Sequence, residues 1–277
     1  MAPSRPGYPH LTLALGLAVL GLASASEAGA TPRPLPFTYP AETLPKGTLE
    51  VEQYVDLVPV RVAREEAGGS KAVTSLRSEL QTELEYGLLD RLELGFYFVF
   101  QQGASATSPY LQFRGLKQRL RYELSEKPTW PLGVGLYGEV AEFHSEIELE
   151  EKLILSRRFG PVGIATNLWV EQEYYFQEDD WRFVYNPTFG AYYEFSPAFM
   201  LGAEYWFRGR FDHDDAPAAG EPPSNTRHYA GPTVMVEGAK GFLSLGSYLR
   251  VDHLSKTLPL GDPYGRVWFR VLIGVML

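Results

Sequence analysis

Residues 76–102 read LRSELQTELEYGLLDRLELGFYFVFQQ, two alternating arms about the link Gly87-Leu88-Leu89-Asp90-Arg91. In the second arm Leu92, Leu94, Phe96, Phe98 and Phe100 share one face, and Arg91, Glu93, Gly95, Tyr97 and Gln101 share the other. In the first arm Leu76, Leu80, Leu84, Tyr86 and Leu88 oppose Arg77, Glu79, Gln81, Glu83 and Glu85. This period of two belongs to a β-strand, whose successive side chains point to opposite faces. Two such arms on a tight link predict a hairpin with one face as apolar as a core and the other crowded with charge.

The same alternation runs from Gly47 to the last residue. Leu49, Val51, Val55 and Leu57 oppose Glu50, Glu52, Tyr54 and Asp56, and Ile147, Leu149, Leu153 and Leu155 oppose Glu148, Glu150, Lys152 and Ser156. About twelve such segments fit, close to the ~10 residues that a tilted membrane strand requires. Their links alternate longer and tight, the tight ones following the even-numbered strands. His144-Ser145 and Gln177 to Asp180 are short links on the longer side. The pattern predicts an all-β fold, a transmembrane antiparallel up-and-down β-barrel. In the fourth segment, Tyr110 to Leu124, the apolar phase switches, so a bulge is expected near Gly115. Glu151 falls on the apolar phase, where a carboxylate is costly.

Composition narrows the function. A net charge of -9 argues against a nucleic-acid partner. The absence of cysteine removes disulfides, thiol chemistry and Cys-based zinc sites. Residues 1–30 read as a signal peptide, with Arg5, an apolar Leu11 to Leu22, and small residues at Ala23 to Ala25 and Ala28 to Ala30. Residues 31–46 hold Pro32, Pro34, Pro36, Pro40 and Pro45 and are expected as an extended periplasmic lead-in without regular structure. Residues 47–277 form the barrel.

The final strand sets Val267, Phe269, Val271, Ile273, Val275 and Leu277 on one face. With the signal peptide and the turn stretch Gly87 to Gly95, it resembles the uncharacterised, porin-like or transporter-like outer-membrane barrels of Gram-negative bacteria; Leu277 stands where that family usually ends in an aromatic residue. The resemblance implies an outer-membrane location after signal cleavage, lipid as surroundings, and engagement of the barrel-insertion machinery through the last strand. It implies a passive channel for small solutes.

The polar phases place Glu79, Glu83, Glu85, Arg91, Glu93, Arg119, Arg121, Glu139, Glu171, Glu173, Arg182, Glu194, Glu204, Arg208, Arg210, Arg250, Arg266 and Arg270 as candidate lumen lining. They predict either a polar pore whose charged walls order a permeant solute or a salt-bridge network that plugs a structural barrel. A third reading, a lipid-modifying enzyme, needs a Ser, a His and an orienting group in reach. His144, His213, His228 and His253 sit near Ser145, Ser224, Ser247 and Ser255 at outer strand ends or loops, but no spacing singles out a triad. The same histidines neighbour Asp212, Asp214, Asp215, Asp252 and Asp262, as solvated loops ordinarily do. No catalytic residue, metal or cofactor is therefore assigned.

Overall fold

The computed structural model describes residues 32–66, 69–103, 110–125, 130–211, 226–252, 254–255 and 257–277. The expected signal peptide lies outside these residues, as do His213, His253, Ser224, Asp212, Asp214 and Asp215.

Among the described residues the structure is all β. The strands are β1 (Leu49–Glu66), β2 (Gly69–Leu89), β3 (Leu92–Gln102), β4 (Gln112–Glu123), β5 (Gly133–Phe143), β6 (Glu146–Phe159) and β7 (Val162–Tyr175). They continue as β8 (Asp180–Tyr185), β9 (Thr188–Ser196), β10 (Phe199–Arg210), β11 (Arg227–Glu237), β12 (Gly241–Arg250) and β13 (Val267–Met276). Sequence neighbours pair antiparallel around the sheet, and β13 pairs with β1 to close it. Closure leaves no strand edge unpaired, the condition for a sheet that meets lipid.

β8 and β9 are two halves of one stave. Both pair with β7 in the same register, Val170 opposite Tyr185 and Asn167 opposite Thr188, and Asn186 between them donates its N–H to the Trp169 carbonyl. Pro187 has no N–H to give, so the ladder is nicked there without a shift of register. The barrel thus has twelve stave positions.

The expected phases are the observed ones. Phe96 and Phe98 are exposed on the outer surface while Glu93, Tyr97 and Val99 are buried inside. Outward rings gather at both ends of the outer belt. Exposed Phe176 and Trp181 cluster with half-buried Tyr174 at the long-loop end, and exposed Tyr193, Phe195 and Phe199 at the short-turn end. Such an exterior, apolar between two aromatic bands, is suited to a bilayer. Gln53 and Thr82 also face outward, and their side chains hydrogen-bond each other at 2.7 Å.

The bulge lies where the phase switch placed it. Phe100 opposes Phe113 and Val99 opposes Gly115, leaving Arg114 as the extra residue. Only glycine fits at 115, because a Cβ there would lie 2.1 Å from the Glu142 carbonyl oxygen. One link differs from expectation. The polar stretch 64–71 is mostly paired strand, with Arg64 opposite Lys71 and Glu65 opposite Ser70, so β1 and β2 extend as a long ribbon.

The largest departure is the Pro-rich lead-in. Its described part, 32–46, forms neither helix nor strand, yet Leu35, Phe37, Tyr39, Ala41 and Leu44 are all buried. The segment lies inside the barrel rather than beyond its mouth, because apolar residues at every second position pack against the bore. The interleaved prolines keep it from joining the sheet as a strand.

Candidate functional site

The strand register arranges the interior charges in two neighbouring rows. In the first, Glu50 opposes Glu85, Glu85 opposes Gly95, then follow Arg119, Glu139, Glu150 and Glu171 across β4 to β7. In the second, Glu52 opposes Glu83, followed by Tyr97, Lys117, Ala141, Glu148 and Glu173, and Arg182 on β8. Barrel strands are tilted and staggered, so rows of paired residues climb the bore. These begin near the start of β1, at the short-turn end, and finish near the outer end of β7. Carboxylates directly opposite one another repel, and cations must be interleaved to hold them.

The interleaved cations are present. Arg119, 2% exposed, contacts Glu83 at 2.6 Å and Glu93 at 2.6 Å and also bonds Glu85. Arg121 meets Glu93 at 2.7 Å. Higher up, Lys117 bonds Glu139 at 2.9 Å, Lys152 bonds Glu150 at 2.7 Å, and Arg114 bonds Glu146 at 2.5 Å and Glu148 at 3.2 Å. Arg208 bridges Glu171 and Glu173 at 2.6 and 2.7 Å. The carboxylates of Glu52, Glu83 and Glu85 approach one another closely enough to suggest a metal cage. Guanidinium groups of Arg33 and Arg119 occupy their oxygens instead.

The opposite wall is aromatic. Trp206 stacks on Tyr229 with centroids 4.2 Å apart, and Tyr248 and Trp268 meet it edge-on. Phe37 of the inner segment completes this cluster, 4.8 Å from Trp206, and the Arg270 guanidinium lies 3.6 Å over the Phe37 ring. Arg270 in turn bonds Asp56.

Between the two walls residues 33–46 form an arch. Arg33 starts it low in the bore, bonded to Glu52 and to the Tyr54 hydroxyl, while Ser244 donates to the Arg33 carbonyl. Glu204 accepts the N–H groups of Phe37 and Thr38 at 3.0 and 2.8 Å. Asn167 reads the Tyr39 main chain from both sides, accepting its N–H at 2.8 Å and donating to its carbonyl at 2.9 Å. Ser156 accepts from Ala41 at 3.0 Å and Glu93 from Leu44 at 2.7 Å. Satisfying these donors matters, since a buried, unbonded amide costs roughly 1–3 kcal/mol. The wall also makes room: a Cβ at Gly190 would sit 2.6 Å from the Leu35 side chain, and one at Gly87 would sit 2.0 Å from the Pro45 carbonyl oxygen.

Above the arch lies a cavity of about 820 Å³ whose border includes Phe37, Tyr39 and Tyr54 below and His144, Ser145 and Arg210, all exposed, at the long-loop end. Of the expected lining residues, Glu79, Glu139, Glu171, Glu173, Arg182, Arg208, Arg210 and Arg270 border this cavity. Glu83, Glu85, Glu93, Arg119, Arg121 and Glu204 are buried at the level of the arch. Four lie elsewhere. Arg91 sits in the β2–β3 turn with φ 69° and leans toward the ring of outward Tyr122. Glu194 pairs with exposed Arg158 near the short-turn end, Arg250 is held by Asp252 and Asp262 at the other, and Arg266 precedes β13.

Several charged groups of the bore were not among the candidates. Glu50, Glu52, Asp56, Glu148, Glu150 and Lys152 stand on the polar phases of β1 and β6, a signal legible in the alternation itself. Arg114 and Lys117 were hidden by the bulge. Phe37, Tyr39 and Arg33 were hidden by the prolines around them.

No protein-family model matches the chain, and no curated protein matches it. Solved structures do match. The fold is similar to that of the NanC porin, with a TM-score of 0.53 and 8% identity over 82% of this chain and 98% of the other. It is also similar to the COG4313 outer membrane channel from Pseudomonas putida F1, with a TM-score of 0.55 and 15% identity over 86% of this chain and 98% of the other. The chain therefore has the barrel fold of outer-membrane channels.

Proposed function

We propose that this chain, after loss of its signal peptide, is a porin-like channel of a Gram-negative outer membrane that passes small polar solutes. The observation that carries this reading is the charged cavity of about 820 Å³ reaching the long-loop end of a barrel whose outside is apolar. A bore filled only for stability would not need an open, charge-lined chamber of that size. The channel fold of the solved structures supports the same reading. In this orientation the short turns and both ends of the barrel sequence face the periplasm, and the long-loop end faces outward. The cavity is the entry vestibule, its paired carboxylates and cations the groups that a solute exchanges for water. The terminal strand Val267–Met276 serves assembly, as the segment that the insertion machinery reads.

Current through planar bilayers tests the proposal. Purified, folded chain is expected to give stepwise ionic conductance above protein-free membranes. A folded chain that passes no current, either as it is or after removal of the contacts that hold residues 33–46, would exclude it.

A further inference from the structure

We infer that residues 33–46 are a displaceable plug and that their withdrawal uncovers a cation-selective path along the carboxylate rows. The inference rests on the channel reading above.

Three observations carry it. First, the arch lies across the bore. Its contacts reach β1, β3, β6, β7, β10 and β12, so a solute leaving the vestibule meets Phe37 and Tyr39 as the floor. Second, the bonds that hold it come from side chains of the wall, whereas the wall itself is held by main-chain ladders. Main-chain bonding between the segment and the barrel is found at its root, where Gly47 donates to Gly87 and Thr48 to Pro45. The arch can therefore leave as a tethered unit without opening a strand pair. Ordering such a segment costs backbone entropy of the same order as its burial returns, so the net hold is small compared with the barrel's own stability.

Third, the arch brings a positive charge to an acidic zone. At its level the wall presents Glu52, Glu83, Glu85 and Glu93 against Arg119 and Arg121, and Arg33 of the arch bonds Glu52. Withdrawal removes that guanidinium and also frees Glu204 and Glu93 from main-chain donors. What remains at the level of the arch is a wall with a clear excess of carboxylate, below a vestibule whose carboxylates are each bonded to a Lys or Arg. Rings of carboxylate favour cations in a pore. The solute class admitted by the open state is thus cationic.

The absence of cysteine permits a clean test. A Cβ built on Gly133 lies 3.2 Å from the Ala41 Cβ, within a few tenths of an ångström of disulfide spacing, so A41C with G133C is expected to bridge the arch to β5. In planar bilayers the bridged chain is expected to lose at least nine-tenths of the wild-type current, and reduction is expected to restore it. A second, full-length variant, R33A with E204A, is expected to raise open probability about tenfold, with a reversal potential in a KCl gradient that reports K⁺ over Cl⁻. A bridged chain that conducts like the wild type would overturn the plug while leaving the channel standing. Open R33A/E204A with anion preference would overturn the cation path. No current from wild type, reduced or undocked chain would remove the channel reading and the plug with it.

Discussion

The carboxylate of Glu204 accepts the main-chain N–H of Thr38 at 2.8 Å, and with it a residue of the barrel wall fixes the crown of a segment that belongs to no strand. The same carboxylate accepts from Phe37 at 3.0 Å and from the Tyr248 hydroxyl. It ties the arch to the aromatic wall as well as to β10. Replacing Glu204 by Leu leaves buried amide donors without an acceptor, at a cost of roughly 1–3 kcal/mol. Amide hydrogen exchange at residues 37 and 38 is expected to quicken about 5- to 100-fold, since ~1.4 kcal/mol is a factor of ten. Glu204→Gln keeps an acceptor and is expected to show the smaller change. Equal exchange in wild type and the Leu variant would mean the contact does not hold the arch.

Arg119 is the cation on which the lower carboxylates depend. It contacts Glu83, Glu85 and Glu93 and is buried with them, so Arg119→Met takes the bonded cation from Glu83 and Glu85, whereas Glu93 keeps Arg121. Removing one partner of a buried pair costs about 3–5 kcal/mol, more than the intact pair contributes. The variant is expected to unfold from lipid vesicles at a lower urea concentration. A companion Glu83→Gln in the same chain is expected to recover part of the loss. An unchanged midpoint for Arg119→Met would show that water screens these charges and that the lower bore is open.

Gly115 carries the phase switch of β4. A Cβ there would lie 2.1 Å from the Glu142 carbonyl oxygen, a main-chain atom fixed in the β5 ladder, so even Gly115→Ala forces the strands apart. The expected outcome is a smaller folded fraction on heat-modifiable electrophoresis, with Arg114 no longer placed to bond Glu146 and Glu148. Folding at the wild-type level would mean that the bulge can be accommodated elsewhere in β4.

How far the sequence carried the fold follows from where period-two alternation holds. In β2 and β3 it fixed faces, partners and the turn, because one residue of slip would have put Glu83 and Glu93 outside and Phe96 and Phe98 within. The bulge at Gly115 was legible for the same reason, as a break in that pattern. The two carboxylate rows were not. A row depends on which residue of one strand faces which of the next, and alternation gives only the face. The arch was hidden for a different reason. Leu35, Phe37, Tyr39 and Ala41 also alternate, but the prolines around them remove the donors of a ladder, so the stretch read as a lead-in outside the barrel. Its amides find side-chain acceptors on four strands, β3, β6, β7 and β10, and such long-range partners leave no local mark in the sequence.

Glu151 is the residue that alternation placed on the wrong side, and it does face outward. It is exposed near the middle of β6, opposite Gly138 on one neighbour and Val170 on the other, with buried Glu150 and Lys152 on either side of it pointing into the bore. A carboxylate near the centre of the apolar belt is destabilising, more mildly than the ~2–4 kcal/mol of a cation there. Glu151→Leu is therefore expected to stabilise the barrel by about 1–2 kcal/mol, read as a higher urea midpoint in vesicles. Glu150→Leu, one residue away, is expected to do the opposite, because it strips Lys152 of its 2.7 Å partner inside the bore. The opposed signs at adjacent positions test the inside-out arrangement directly: in a soluble barrel Glu151 would be an ordinary surface residue, and its replacement by Leu would bring no gain.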